Sequence, residues 1–264
     1  MRTLLICHED APLDREGLVR WLGSFSTYAG TVVISEPASR KRLRIRREIG
    51  RVGLWRFLDV LAFRLHYTLA TAHADQAWER RALERLRASF PERPKAPEIE
   101  VDSPNSDSAE RFIRDGQPDL VIARCKTLIK EQVFSIPRLG TFVMHPGICP
   151  EYRNAHGCFW ARATGDAGNV GMTLLRIDRG VDTGPVFGYF RIAPDPPESH
   201  VITQHRVVLD HLDGIRGVLT RIAEGRATAV DTRGRRSAAW GQPWLTAYLK
   251  MRLRSRAERP ALQP

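Results

Sequence analysis

Five residues in the middle of the chain, DLVIA at 119–123, are apolar at all but the first position. A run so short and so uniformly apolar is the pattern of a strand covered on both faces, as in a parallel sheet. Such a strand needs neighbours joined to it by crossovers that pass over the sheet faces. The N-terminal half supplies them. RTLLIC (2–7), TVVIS (31–35) and IEV (99–101) are further short apolar runs, and the segments 12–22 and 106–114 between them repeat apolar residues at helical spacing. GTFVMH (140–145) adds another central strand, VGMTLLRI (170–177) alternates as a strand should, and VFGYFRI (186–192) follows. The pattern predicts an α/β fold with a mixed, mostly parallel sheet.

Two stretches depart from this alternation. Residues 38–90 form a helical insertion between the second and third strands. Its first part packs six basic residues into the eight positions 40–47; its second places Leu54, Phe57, Leu58, Leu61 and Leu65 on one helical face with Arg56 and Arg64 off it. Together they resemble a membrane-surface or partner-docking helix, which leaves a peripheral membrane contact through 40–65 open. The simpler expectation is that the apolar face packs on the domain and the arginines face water. After residue 193 a proline-rich connector, APDPPES, leads into one long helix over 201–222 and another over 244–256, with Leu245, Tyr248, Leu249 and Leu253 available to dock. The expected organisation is a body at 1–192 and a helical C-terminal extension at 193–264 packed on it, without room for a separate barrel.

With 264 residues, 42% of them hydrophobic, the chain can bury one large core. Cys7, Cys125, Cys149 and Cys158 form no CxxC pair and share no metal-ligand spacing with histidines, so neither a zinc site nor a disulfide framework is expected. No basic-then-apolar leader precedes the first strand, and no apolar run approaches the ~20 residues of a membrane span. A soluble, cytoplasmic protein is the expectation. The net charge of +11 fits an anionic partner or merely an arginine-rich solvated surface. A nucleic-acid reader would gather its arginines into one stripe with stacking aromatics, whereas these are split between 40–56 and 250–259, so no nucleic-acid partner is expected.

Chemistry concentrates in residues 117–187. His145 ends a predicted buried strand and is followed by Pro146-Gly147, which exposes the imidazole at the edge where open α/β sheets bind ligands. Asp182 lies in the loop Gly180-Val181-Asp182-Thr183-Gly184-Pro185 between two strands, where glycines allow a tight turn. A carboxylate held against an imidazole orients it and makes it a proton donor usable near neutral pH. Spacing alone does not bring the two together.

The sequence resembles the folate-dependent formyltransferases, which include glycinamide ribonucleotide transformylase, methionyl-tRNA formyltransferase and the sugar N-formyltransferases. The likeness runs from the first strand to about residue 192. Its marks are Pro118-Asp119, IPRLG at 136–140, the HPxxxPxYR run from His145 to Arg153, and Gly-Val-Asp-Thr-Gly-Pro at 180–185. The resemblance implies attack of an amine on the formyl carbon of 10-formyltetrahydrofolate, through a tetrahedral intermediate whose oxyanion is stabilised by an Asn-x-His pair and a distant Asp. His145 and Asp182 match the last two, but Val143 stands where the family carries asparagine, and Gly147 where it carries serine. Removing one oxyanion donor lowers rate by about 10²–10³, and valine has no proton to donate. Three explanations compete: a substitute donor, with Asn154, His156 or an amide of the 146–149 turn as candidates; a changed chemistry; or a site kept for binding alone.

By the same resemblance the folate lies between the 124–129 and 178–182 loops, with Leu128 and Ile129 as an apolar wall and the stretch from Asp178 through Gly180 to Asp182 opposite. Taken without the resemblance, Leu128 and Ile129 read as ordinary core. Arg153 and His156 are candidates for contacting an anionic or hydroxylated acceptor, although each alone reads as structural. By elimination among family branches the acceptor is a small-molecule amine such as an amino sugar or nucleotide-linked amino sugar, and a homodimer is compatible with the family. The alternatives are a divergent formyl hydrolase and a non-catalytic folate or nucleotide-sugar binder.

Overall fold

The computed structural model describes residues 1–37, 45–46, 48–195 and 198–257. Most of the basic run at 40–47 therefore lies outside the described residues, as do 258–264. Nine strands and nine principal α-helices lie among the described residues. They are β1 (Arg2–His8), a π-helical turn Leu13–Leu18 that runs into α1 (Val19–Gly23), β2 (Thr27–Ile34), α2 (Leu54–Ala70), α3 (Ala72–Ser89), β3 (Glu98–Val101), α4 (Asp107–Gly116), β4 (Leu120–Arg124), α5 (Glu131–Phe134), β5 (Gly140–His145), β6 (Arg153–Asn154), α6 (Gly157–Ala163), β7 (Gly171–Arg176), β8 (Val186–Arg191), α7 (His200–Leu209), α8 (Leu212–Ala223), β9 (Ala239–Trp240) and α9 (Leu245–Ala257).

Seven strands form one sheet in the order β3-β2-β1-β4-β5-β7-β8. The first five run parallel, and β7 and β8 return antiparallel. The run DLVIA fills β4, where Leu120, Val121, Ile122 and Ala123 are all buried, as its unbroken apolar character requires. Strand order reverses between β1 and β4, so the carboxyl ends of β1, β4 and β5 form one edge at a topological switch point, and His145 is the last residue of β5. The expected mixed, mostly parallel sheet is the one observed.

Helix ends follow their caps. Ser106 accepts the Ala109 amide to start α4, and Ser199 accepts those of Val201 and Ile202 to start α7. The expected single helix over 201–222 is instead two, broken at Asp210-His211, where His211 leaves helical geometry (φ −125°, ψ 17°). The break turns α8 onto β8; a Cβ at Gly214 would lie 2.9 Å from the Phe190 ring. One core then joins the sheet to the C-terminal helices, with Leu5, Met144, Phe159, Val207, Ile215 and Leu219 in the same cluster.

In the insertion, α2 runs through Thr71 into α3, and the junction is tied down by buried Asp75, which accepts from Tyr67 Oη (2.9 Å) and Ser199 Oγ (2.6 Å). The face of α2 that packs inward is Phe57, Val60 and Phe63. This corrects the simpler expectation: Leu54, Leu58, Leu61 and Leu65 point to solvent, because α2 is apolar on two sides and the body covers only one.

Candidate active site

Backbone pairing decides where His145 sits. It pairs with Thr173 of β7, whose buried hydroxyl donates to Gly147 O (2.6 Å) and accepts from Cys149 N (2.9 Å), so the turn after the histidine is pinned to the neighbouring strand. From the other side, Arg124 at the end of β4 donates from Nη1 to Met144 O (2.8 Å) and from Nε to Asp14 Oδ1 (3.1 Å). The ring itself is 6% exposed. Its Nε2 lies 2.8 Å from Tyr152 O, and its Nδ1 lies 3.4 Å from Asp182 Oδ2.

The aspartate is brought there by a clamp from the segment after the histidine. Asn154 donates its backbone N–H to Asp182 Oδ2 (2.8 Å), and Arg153 donates from Nη1 to Val181 O (2.8 Å). Asp182, Asn154 and His156 all have left-handed backbones, with φ of 52°, 74° and 56°. Side chains with a Cβ occupy that region at a cost, and three such residues in the 146–156 and 178–185 loops mark a geometry enforced by its surroundings. The pair that the sequence could not bring together is therefore in contact.

The same clamp depends on the C-terminal region. β6 and β9 pair in parallel, Trp240 Nε1 donates to Glu151 O (2.9 Å), and Asn154 Nδ2 donates to Trp240 O (2.6 Å). Trp240 also stacks between Tyr152 and Trp160, with centroid distances of 5.9 and 4.9 Å. Arg235 forms a two-point ion pair with Glu151. Tyr152 belongs to the HPxxxPxYR run, whereas Thr173, Arg124, Trp240 and the Arg235–Glu151 pair carry no sequence motif. The arginines and tryptophans of 235–244 are the signal that could have pointed to Arg235 and Trp240.

Several candidate roles change. Val143 shares the face of β5 that carries His145 and packs against Cys149, Leu175 and Val186, so that position is an apolar floor. Asn154 acts through its backbone, its side-chain amide being held by Trp240. The amides of Gly147 and Cys149 are engaged by His145 O and Thr173. Arg153 divides between Val181 and Ser237 as a loop clamp. His156 faces Gln204 and His200, and burial, aided by His200, pushes it down to about 3, so it brings no positive charge at neutral pH. Ile129 is core at 4% exposure, whereas Leu128 is 58% exposed. Asp178 caps its own loop, accepting from Gly180 N (2.9 Å) and Thr183 Oγ1 (2.7 Å).

Gly147 explains the absent serine. A Cβ there would overlap the Tyr152 carbonyl and lie 2.8 Å from His145 Nε2, beside a close backbone crossing with Gly157. Gly147→Ser is expected to lower stability by about 1–3 kcal/mol, as overpacking against backbone does. Chemical denaturation checks this; an unchanged midpoint contradicts the packing account.

Burial likewise pushes His200 down to about 4. Both rings fall below the ~6.5 of an unfolded histidine, so the unfolded chain takes up protons first on acidification. Their stability contribution is complete above about pH 6.5 and is lost below it, by up to about 1.4 kcal/mol per pH unit for each ring. Thermal midpoints should fall steeply from about pH 6.5 to 4.5, and less steeply in the double variant His156→Asn, His200→Asn. Equal slopes would contradict the assignment.

Residues 81–207 match the family described as formyl transferase. The methionyl-tRNA formyltransferase of Thermotoga maritima is 30% identical over 118 residues, 44% of this chain and 37% of the relative. That of Bacteroides fragilis is 31% identical over 126 residues, 46% and 38%. The matches thus span little more than a third of these relatives. Two solved structures share the fold. A sugar N-formyltransferase from Shewanella aligns with TM-score 0.55 and 12% identity over 91% of this chain and 76% of its own. Phosphoribosylglycinamide formyltransferase from Anaplasma phagocytophilum aligns with 0.56 and 13% over 92% and 99%. The family match runs from β3 through β8, just under half of the chain, and includes both His145 and Asp182, which are in contact, so this part of the chain is similar to the formyl transferase family.

Proposed function

We propose that the chain transfers the formyl group of 10-formyltetrahydrofolate to the amine of a small acceptor, an amino sugar or nucleotide-linked amino sugar. The observation that carries this is the 3.4 Å approach of His145 Nδ1 to Asp182 Oδ2 at the carboxyl edge of the sheet, with Asn154 locking the carboxylate. A sugar N-formyltransferase is among the fold neighbours that align over most of the chain, and this suggests the acceptor class.

The residues present fit a folate. Leu128 and Val181 are large apolar side chains left exposed on the two loops flanking the edge, and Arg179 joins those loops by donating to both carboxylate oxygens of Glu131 (2.9 and 3.0 Å). A flat ring system would lie between Leu128 on one side and the stretch from Asp178 through Gly180 to Asp182 on the other. When bound, the folate supplies the formyl carbon and a leaving nitrogen. Transfer to the acceptor amine would exchange the bond from that carbon to the leaving nitrogen for a bond to the amine. His145 takes the surplus proton of the amine and returns one to the leaving nitrogen, while Asp182 holds the ring in place. The test is mass spectrometry of a panel of amino sugars and nucleotide-linked amino sugars incubated with protein and 10-formyltetrahydrofolate. One acceptor gaining a formyl group supports the reading; none gaining it contradicts the acceptor class. Leu128→Asp should weaken tetrahydrofolate binding about tenfold or more by charging the apolar wall; unchanged binding removes Leu128 from the site.

A further inference from the structure

The outward face of α2 is the largest feature that formyl transfer leaves unexplained. Leu54, Leu58, Leu61, Leu65 and Leu69 recur at spacings of three and four and are all exposed, and Trp55 beside them is 84% exposed. Phe57, Val60 and Phe63 on the opposite side are buried, so α2 is apolar on two faces, a pattern that in water calls for cover on both. α9, packed alongside through Thr246 and Asp59, continues the strip with exposed Leu249 and Leu253.

Charge identifies the cover. Arg64 and Lys250 are basic and exposed on these two helices, and Arg51, Arg56 and Arg254 add positive charge while engaging Glu48, Asp59 and Ala163 O, whereas the acidic residue on either helix is Asp59, already held by Thr246 and Arg56. A second copy placed symmetrically on this face would set arginines against arginines, in a chain of net charge +11. An anionic lipid surface meets both needs: headgroups pair with the basic flanks, and the leucines and the tryptophan enter the interface. The 17 residues of α2 span about 25 Å at 1.5 Å per residue, and no helix among the described residues is long and apolar enough to cross a membrane, so α2 would lie along the surface. We infer that the face formed by α2 and α9 docks the protein on an anionic membrane.

The experiment is flotation of the full chain with vesicles of phosphatidylglycerol and phosphatidylcholine, and with phosphatidylcholine alone, at low and high salt. The expected result is binding to the anionic vesicles, weakened by salt, and lowered at least about tenfold by the triple variant Leu58→Gln, Leu61→Gln, Leu65→Gln. All three side chains are exposed, so this variant keeps its fold, and its thermal midpoint verifies that. Arg51→Glu with Lys250→Glu should lower binding independently. Absence of vesicle binding overturns the proposal, as does binding that the triple variant leaves unchanged. A wild-type dimer that the triple variant splits, without vesicle binding, assigns the face to a second copy instead.

Discussion

His145→Ala is expected to lower the rate of formyl transfer by about 10²–10⁴ while leaving tetrahydrofolate binding within a few-fold of wild type. The ring is the titratable group at the end of β5, and its two nitrogens meet two oxygen acceptors, Tyr152 O and Asp182 Oδ2. It contributes proton transfer, while the apolar contacts proposed for the folate come from the flanking loops. The effect should therefore fall on kcat more than on KM. Asp182→Asn should act in the same direction with a smaller loss, because an amide oxygen can still accept from Asn154 N–H but the imidazole loses its charged partner. Single-turnover kinetics separate the two. A His145→Ala protein that transfers formyl at the wild-type rate would move the chemistry elsewhere.

Val143→Asn carries the second large effect, and in the opposite direction. Val143 and His145 share one face of β5, so an asparagine there would place an amide donor on the same side as the imidazole, where the chain now presents a methyl-lined floor. An oxyanion donor is worth about 10²–10³ in rate, so the expected gain approaches 10² if the amide can turn toward the reacting oxygen. The amide also replaces a side chain packed against Cys149, Leu175 and Val186, and burying it there should lower stability by about 1–3 kcal/mol. Faster turnover with a lower denaturation midpoint is the predicted pair of results. A slower enzyme of undiminished stability would mean that the valine itself suits the reaction.

The parallel core was legible because burial on both faces leaves an unmistakable apolar run, as in residues 119–123. The two members of the site were legible as motifs, but their meeting was not. It depends on backbone donors at Asn154 and on β9, a two-residue strand too short to show any alternation. The contacts of Arg153 and His156 were not legible for a related reason: residue type does not reveal direction, and Arg153 turns to Val181 O and Ser237 Oγ while His156 turns to Gln204. Along α2 the period was right and the burial was reversed for four of the five leucine and phenylalanine positions. A helix with apolar residues on two sides gives no sign in its own sequence of which side the body will take. The break at Asp210-His211 escaped because neither residue there is a glycine or proline, so no local breaker marks it.

The central claim is amine-directed transfer at the His145–Asp182 pair, and tetrahydrofolate release measured with and without an amino-sugar nucleotide tests it most directly. The account predicts release that requires the amine, matches formylated product one for one, and disappears in His145→Ala. Release at the same rate without any amine would make the protein a hydrolase and contradict the account.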